Sequence, residues 1–384
     1  MNNNKYKLSQ KKYIYGFISL LAVVARFALF PFASGDYAQF LSAWFEELKA
    51  NGGIMAIGHS IGDYSPIYIL LMALLTYIPI NSLYLIKTIS CVADFIMAVF
   101  GMKIIFFTTQ SSKKALFSFS LILMLPTVLL NSAAWSQSDS IYTGALLACL
   151  YYALLNEPRK SMVAYAVAFA FKLQAIFFFP FICLLIIKKR VRLSQLLYIP
   201  LIYFATGIPA MIAGRSIFEI GLIYFNQAAS YYSLSMNAPN LYALFPANSF
   251  LLSISVSGIC VFLTLFLLLI YFVYTLHFPM SNNLIVHFAL FSSLFVPFFL
   301  PHMHERYFYL ADILSVIFFF IQPARWYVPM IVVGSSFCVY VMYLFGTQPI
   351  STVYLAFMLL SLLFILANDM KRIIANDTVI KSSI

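Results

Sequence analysis

YIYGFISLLAVVARFALFPFASGDY, residues 13–37, decides how the rest of the chain is read. Tyr13–Ala33 holds a single charge, Arg26. As a helix rising 1.5 Å per residue it reaches about 30 Å, the thickness of a bilayer's hydrocarbon core. Lys5, Lys7, Lys11 and Lys12 precede it, and Gly35-Asp36-Tyr37 follows at once. A basic flank before an apolar run also opens a signal peptide. No small-residue cleavage site is present, so the run is expected to stay as a first transmembrane helix.

The same pattern recurs outward along the 384 residues, which are 63% hydrophobic and 9% charged. Soluble domains carry about 25% charged residues. The expected fold class is therefore all-α: a polytopic membrane helical bundle forming a single domain over 1–384. Apolar runs bounded by charges or prolines place further spans at 84–107, 115–130, 141–155, 162–171, 175–187, 196–212, 250–276, 283–300, 307–321, 327–344 and 351–367. With the first helix this gives about twelve crossings. Residues 1–12 and 368–384 are expected as cytoplasmic tails, 34–83 and 214–249 as outer loops. Ile67–Ile80 is apolar but reaches only about 21 Å. Counting it as a span would also turn Lys113, Lys114, Arg159 and Lys160 outward, so it is expected as a juxtamembrane or re-entrant helix. The runs 162–171 and 175–187 read as two half-depth helices meeting at Lys172.

The net charge of +11 does not point to nucleic acid. Most Lys and Arg fall in short clusters between apolar runs: Lys113 and Lys114, Arg159 and Lys160, Lys188 to Arg192, Arg325, Lys371 and Arg372. That is the positive-inside pattern of membrane proteins. Cys91, Cys149, Cys183, Cys260 and Cys338 lie within apolar runs without metal spacing and read as packing residues.

Acids and bases away from those clusters are informative, because charge in hydrocarbon is costly unless paired, hydrated or used. Asp36 sits where a rigid span ends. The loop after it holds Trp44 and Phe45, expected as interfacial anchors, then Gly62-Asp63-Tyr64-Ser65-Pro66. A second polar turn, residues 131–140, holds Trp135, Gln137 and Asp139; Asp139 is either a helix N-cap or a site residue. Lys172, in Phe171-Lys172-Leu173-Gln174, either meets an anion or snorkels to the interface. The densest polar knot is Pro301-His302-Met303-His304-Glu305-Arg306-Tyr307. Arg306 suits a phosphate oxygen. A metal reading of His302, His304 and Glu305 is open but not favoured, since no second His/Cys cluster exists. Arg26 and Asp94 either pair within the membrane or line a cavity. Glu219, Tyr231, Tyr232, Asn237, Asn240 and Tyr242 suit either sugar contacts or an aromatic belt.

In this order the motifs resemble the GT-C glycosyltransferases, multispanning enzymes that use lipid-phosphate-linked sugars. Gly35-Asp36-Tyr37 is similar to that superfamily's catalytic-aspartate motif. Asp63-Tyr64-Ser65-Pro66, Phe171-Lys172-Leu173-Gln174 with Pro180, and His302-Met303-His304-Glu305-Arg306 resemble segments of the dolichyl-phosphate-glucose glucosyltransferases. The first loop is also related to that of the GPI mannosyltransferases. The resemblance covers residues 13 to 310. It departs in having one Asp rather than Asp-x-Asp in the first loop, and it looks like a compact bacterial member of the plasma membrane with its site facing outside.

The resemblance implies a hexose moved, with inversion, from a polyprenyl-phosphate-linked donor to a glycan, lipid or cell-surface acceptor. No cofactor is implied and a divalent metal is not favoured. Asp36 is the expected general base. Tyr37, Asp63, Tyr64, Trp135, Gln137 and Asp139 are expected to shape the acceptor side. Lys172, His302, His304 and Arg306 are expected to bind the donor phosphate, with Glu305 in support. The rival readings are a lipid-linked-sugar flippase or transporter and a polysaccharide polymerase.

Overall fold

In a computed structural model of the chain, the described residues are 2–230, 233–245, 259, 261, 263–265, 267–268 and 280–382. The expected span 250–276 falls mostly outside them, as do Tyr231, Tyr232 and Cys260. Nearly all regular structure is helical; the one sheet is a pair of two-residue strands. The helices are α1 (Asn2–Leu29), α2 (Ser42–Ala50), α3 (Pro66–Leu75), α4 (Ser82–Thr109), α5 (Ser112–Met124), α6 (Pro126–Leu129), α7 (Asp139–Leu154) and α8 (Pro158–Phe171). They continue as α9 (Phe179–Ile187), α10 (Tyr198–Ile212), α11 (Ile217–Ala229), α12 (Asn282–Phe299), α13 (Tyr309–Ile321), α14 (Tyr327–Phe345) and α15 (Thr352–Ser382).

Five helices among the described residues are long and apolar enough to cross a membrane: Ser82–Thr109, Leu193–Ile212, Asn282–Phe299, Pro323–Phe345 and Thr352–Ile373. A sixth is Ser112–Met124 with Pro126–Ala134, if that pair, bent by 47°, is one span. The bend has a local cause. Leu125 precedes a proline and is driven to an extended conformation, so the helix stops and restarts at Pro126. Several other expected spans are helical but short; α13, for example, has 13 residues. Residues 66–75 form the short helix expected there, and the 214–249 loop contains α11.

Lys172 is the break between two half-helices. It is extended (φ −154°, ψ 134°), α8 ends on it, and a 3-10 turn over Leu173–Phe178 leads into α9. Other ends are set by side chains. Asn81, Ser111, Ser216 and Ser281 each accept a backbone N–H at a helix start. Gly346 ends α14 in the left-handed conformation.

Antiparallel succession gives the bundle two ends. At one, Tyr37 meets Ser82, Ser65 donates to the Phe171 carbonyl and Arg215 donates to Ser60. At the other, Arg190 donates to the Met280 carbonyl, Lys114 to Phe320 and Arg325 pairs with Asp369. The basic clusters between spans lie at this second end. Arg26 and Asp94 pair within the bundle. Arg26 Nε lies 2.9 Å from Asp94 Oδ2, and the guanidinium also donates to the carbonyls of Ala22 and Leu123. Asp94 accepts further bonds from Ser132 and Ser140.

Candidate active site

The first end of the bundle is organised around Asp36. The last carbonyls of α1 have no partners within the helix. The Lys87 amine of α4 donates to the carbonyl of Leu29, which ends α1, and to those of Phe30 and Phe32 just beyond it, at 3.1, 3.0 and 2.6 Å. Ser34 then donates to the Trp135 carbonyl at 2.8 Å and accepts the Tyr37 N–H. The loop root is thus pinned on both sides of Asp36. The carboxylate accepts from Trp135 Nε1 (3.0 Å) and Gln137 Nε2 (2.7 Å) on Oδ2, and from the Tyr343 hydroxyl on Oδ1. Tyr343 stacks on Trp135 with ring centroids 4.6 Å apart. An ionised carboxylate oxygen can accept about two bonds. Oδ1 therefore keeps accepting capacity and Oδ2 is occupied.

The polar knot is held by backbone pairing across a long sequence gap. Ser235–Met236 runs parallel to Met303–His304, and the N–H groups of His302 and Glu305 donate to Leu234 and Met236. This aims Arg306 at Asp36, with Nη1 3.5 Å from Asp36 Oδ2 and 3.3 Å from Glu305 Oε1. Burial pushes the Glu305 carboxyl up to about 7, against the pull of Arg306. Burial, reinforced by the positive charges of Arg306 and Lys172, pushes His304 down to about 2. His304 is therefore a neutral hydrogen-bonding group at physiological pH, not the cation expected at a phosphate.

Lys172 and Asp139, expected in separate roles, are tied to each other. Lys172 Nζ lies 2.6 Å from Asp139 Oδ1, and Asn131 donates to Asp139 Oδ2 at 2.8 Å. Asp139 is the first residue of α7, after Ser138 at the cap, and does not serve as its N-cap.

A cavity of ≈ 530 Å³ opens among these groups. Of the expected residues, Asp36, Asp63, Tyr64, Gln137, Lys172, His304 and Arg306 line it. Trp135, Asp139 and Glu305 are buried behind the wall. Tyr37 and His302 do not line it. The Tyr37 hydroxyl meets Ser82 at 2.8 Å, and His302 Nδ1 bonds the Ser233 carbonyl at 2.8 Å from a left-handed backbone (φ +63°). A one-residue turn thus separates the roles of His302 and His304. Trp44 and Phe45 are not both interfacial anchors: Phe45 is in the core and Trp44 faces the cavity. Asp312 is buried on α13 against Ser336, and Glu219 pairs loosely with Arg215 at 3.9 Å; neither lines the cavity.

The sequence did not single out Tyr343, Gln174, Gln227 or Ser230, all of which line the cavity. Gln174 was visible inside the Lys172 segment. Tyr343 had no local signal, being one of several tyrosines in an apolar run. Buried Arg306 Nε, Gln174 Oε1 and Gln227 Oε1 have no hydrogen-bond partner. Buried polar groups are seldom left so, and all three residues line the cavity. No group of three or more His, Cys, Asp or Glu placed to hold a metal ion is found among the described residues. No protein-family model and no curated protein matches this chain.

Proposed function

We propose that this protein is a GT-C-like membrane glycosyltransferase. It moves a hexose from a polyprenyl-phosphate carrier to an acceptor hydroxyl, with inversion, on the extracytoplasmic face. The observation that carries this reading is the convergence of Asp36, Lys172 and Arg306, from three distant parts of the chain, on one cavity with unpartnered polar atoms. The orientation rests on the basic clusters, which lie at the far end of the bundle and favour the cytoplasm.

Arg306 is the main ligand for the donor phosphate. Its Nε–H is uncommitted and its guanidinium can present paired donors. Lys172 adds positive potential shared with Asp139, and His304 adds a neutral hydrogen bond. Asp36 Oδ1 takes the proton of the acceptor hydroxyl as that oxygen attacks the anomeric carbon. The bond from that carbon to the phosphate oxygen breaks, and polyprenyl phosphate leaves with the electron pair, stabilised by Arg306. Trp135, Gln137 and Tyr343 hold the carboxylate in one orientation throughout.

The test is transfer of radiolabelled hexose from polyprenyl-phosphate-hexose by the purified protein in lipid nanodiscs. The expected result is covalent product from the wild type and almost none from Asp36→Asn. Full activity in Asp36→Asn removes the assignment. Movement of the labelled lipid across the bilayer without covalent product favours a flippase.

A further inference from the structure

We infer that the wall formed by Phe40, Trp44 and Tyr64, with Gln174 and Gln227, is a subsite for a pyranose ring. The sugar's fate rests on the transferase reading; its binding does not. Trp44 and Tyr64 meet edge to face with centroids 5.5 Å apart, and Phe40 flanks Trp44 at 6.1 Å. All three line the cavity. The turn beneath is built around the indole. Gly62 lies at φ +62°, and a Cβ there would fall 2.7 Å from Trp44 Cδ2 and Cε2. Only glycine lets the ring rest against that backbone.

The rest of the wall selects the ligand's chemistry. Gln174 Oε1 and Gln227 Oε1 are buried acceptors without partners. A lipid tail would leave both unsatisfied. A second anion would meet the carboxylates of Asp36 and Asp63 on the same lining. A pyranose has an apolar C–H face for the indole and a rim of neutral hydroxyls for the amides. The ring belongs either to the donor's hexose or to a saccharide acceptor, and kinetics separate the two.

The test uses the full chain in nanodiscs. Saturation-transfer NMR is recorded with methyl α-D-mannopyranoside, methyl β-D-glucopyranoside and, as an acyclic polyol, mannitol. At least one pyranoside is expected to receive saturation and mannitol is not. The signal is expected to vanish in Trp44→Leu and Gln227→Leu and to survive in Trp326→Leu at the opposite end. In transfer assays both site variants are expected to raise KM about tenfold for whichever substrate owns the ring, with kcat within about threefold, the scale of one aromatic contact. Gln227→Leu, on a separate helix, decides the matter if Trp44→Leu does not fold. Failure of wild type to bind any pyranoside overturns the subsite, as does unchanged binding in both variants. Pyranoside binding without any transfer sinks the transferase reading alone.

Discussion

Among the described residues, the buried charges around Arg26 and Asp94 and those around Arg306 differ in how completely they are satisfied. Around Arg26 and Asp94, Nε, Nη1 and Nη2 of the arginine all have partners, and the carboxylate accepts from Arg26, Ser132 and Ser140. Around Arg306, an Nε–H lies buried without one, beside two unpartnered glutamine oxygens and a cavity. Each group sets an arginine against an aspartate, but the Arg26 and Asp94 side chains are 3% and 0% exposed and those of Arg306 and Asp36 12% and 14%. The first group is closed and holds helices together; the second is left open on one side. Unpartnered polar atoms on residues that line a cavity, rather than the presence of charge, mark the second group as the candidate site.

Four predictions press on that contrast. The largest effect is expected from Asp36→Asn, which keeps the shape but removes the base. Transfer should fall by about 10²–10⁴-fold while the melting temperature of the purified protein stays close to wild type. Next, Asp94→Leu leaves Arg26 buried and unpaired, costing about 3–5 kcal/mol. It should show as lost folded yield and early thermal unfolding, and a wild-type melting curve would erase the distinction. Third, Arg306→Lys keeps the charge but loses the planar donor pair. A drop in kcat/KM of about 10–100-fold is expected, equivalent to about 1.4–2.7 kcal/mol, and an unchanged value would move the phosphate elsewhere.

The smallest effect concerns pH. Glu305 holds its proton up to about 7 when folded but only to 4.5 when unfolded, so its contribution to stability falls as pH rises from 4.5 to 7. His304 refuses a proton down to about 2 when folded, whereas the unfolded chain takes one below 6.5. Its contribution therefore rises with pH from 2 to 6.5. Between 4.5 and 6.5 the two oppose each other, and their combined contribution should change by less than about 1 kcal/mol. Glu305→Gln leaves only the rising arm. Relative to wild type, its stability should climb with pH across that window, as denaturant titration at several pH values would show; a parallel response would refute the assignment.

Much of this was legible because hydropathy and breakers act locally. The apolar runs within the described residues became helices, Ile67–Ile80 gave the short α3, and Lys172 interrupted its helix as its position between two apolar runs implied. Asp36, Lys172, His304 and Arg306 were legible as cavity-lining candidates because ionisable side chains at a span boundary have few uses. What sequence could not supply was partnership. Lys172 meets Asp139 across 33 residues, and His304 rather than His302 faces the cavity because a parallel strand pair sets its register. Phe45 and Trp44, adjacent in the chain, part company only once α2 has a rotational position. Gln227 and Ser230 reach the cavity because the 214–249 loop folds a helix back over it.

The Tyr343 hydroxyl grips Asp36 across 307 positions of chain. During synthesis the aspartate is made early and waits for α14 before its third donor arrives. A chain that stops before that helix therefore lacks the Tyr343 hydroxyl, and the carboxylate seat stays incomplete until the bundle is nearly closed.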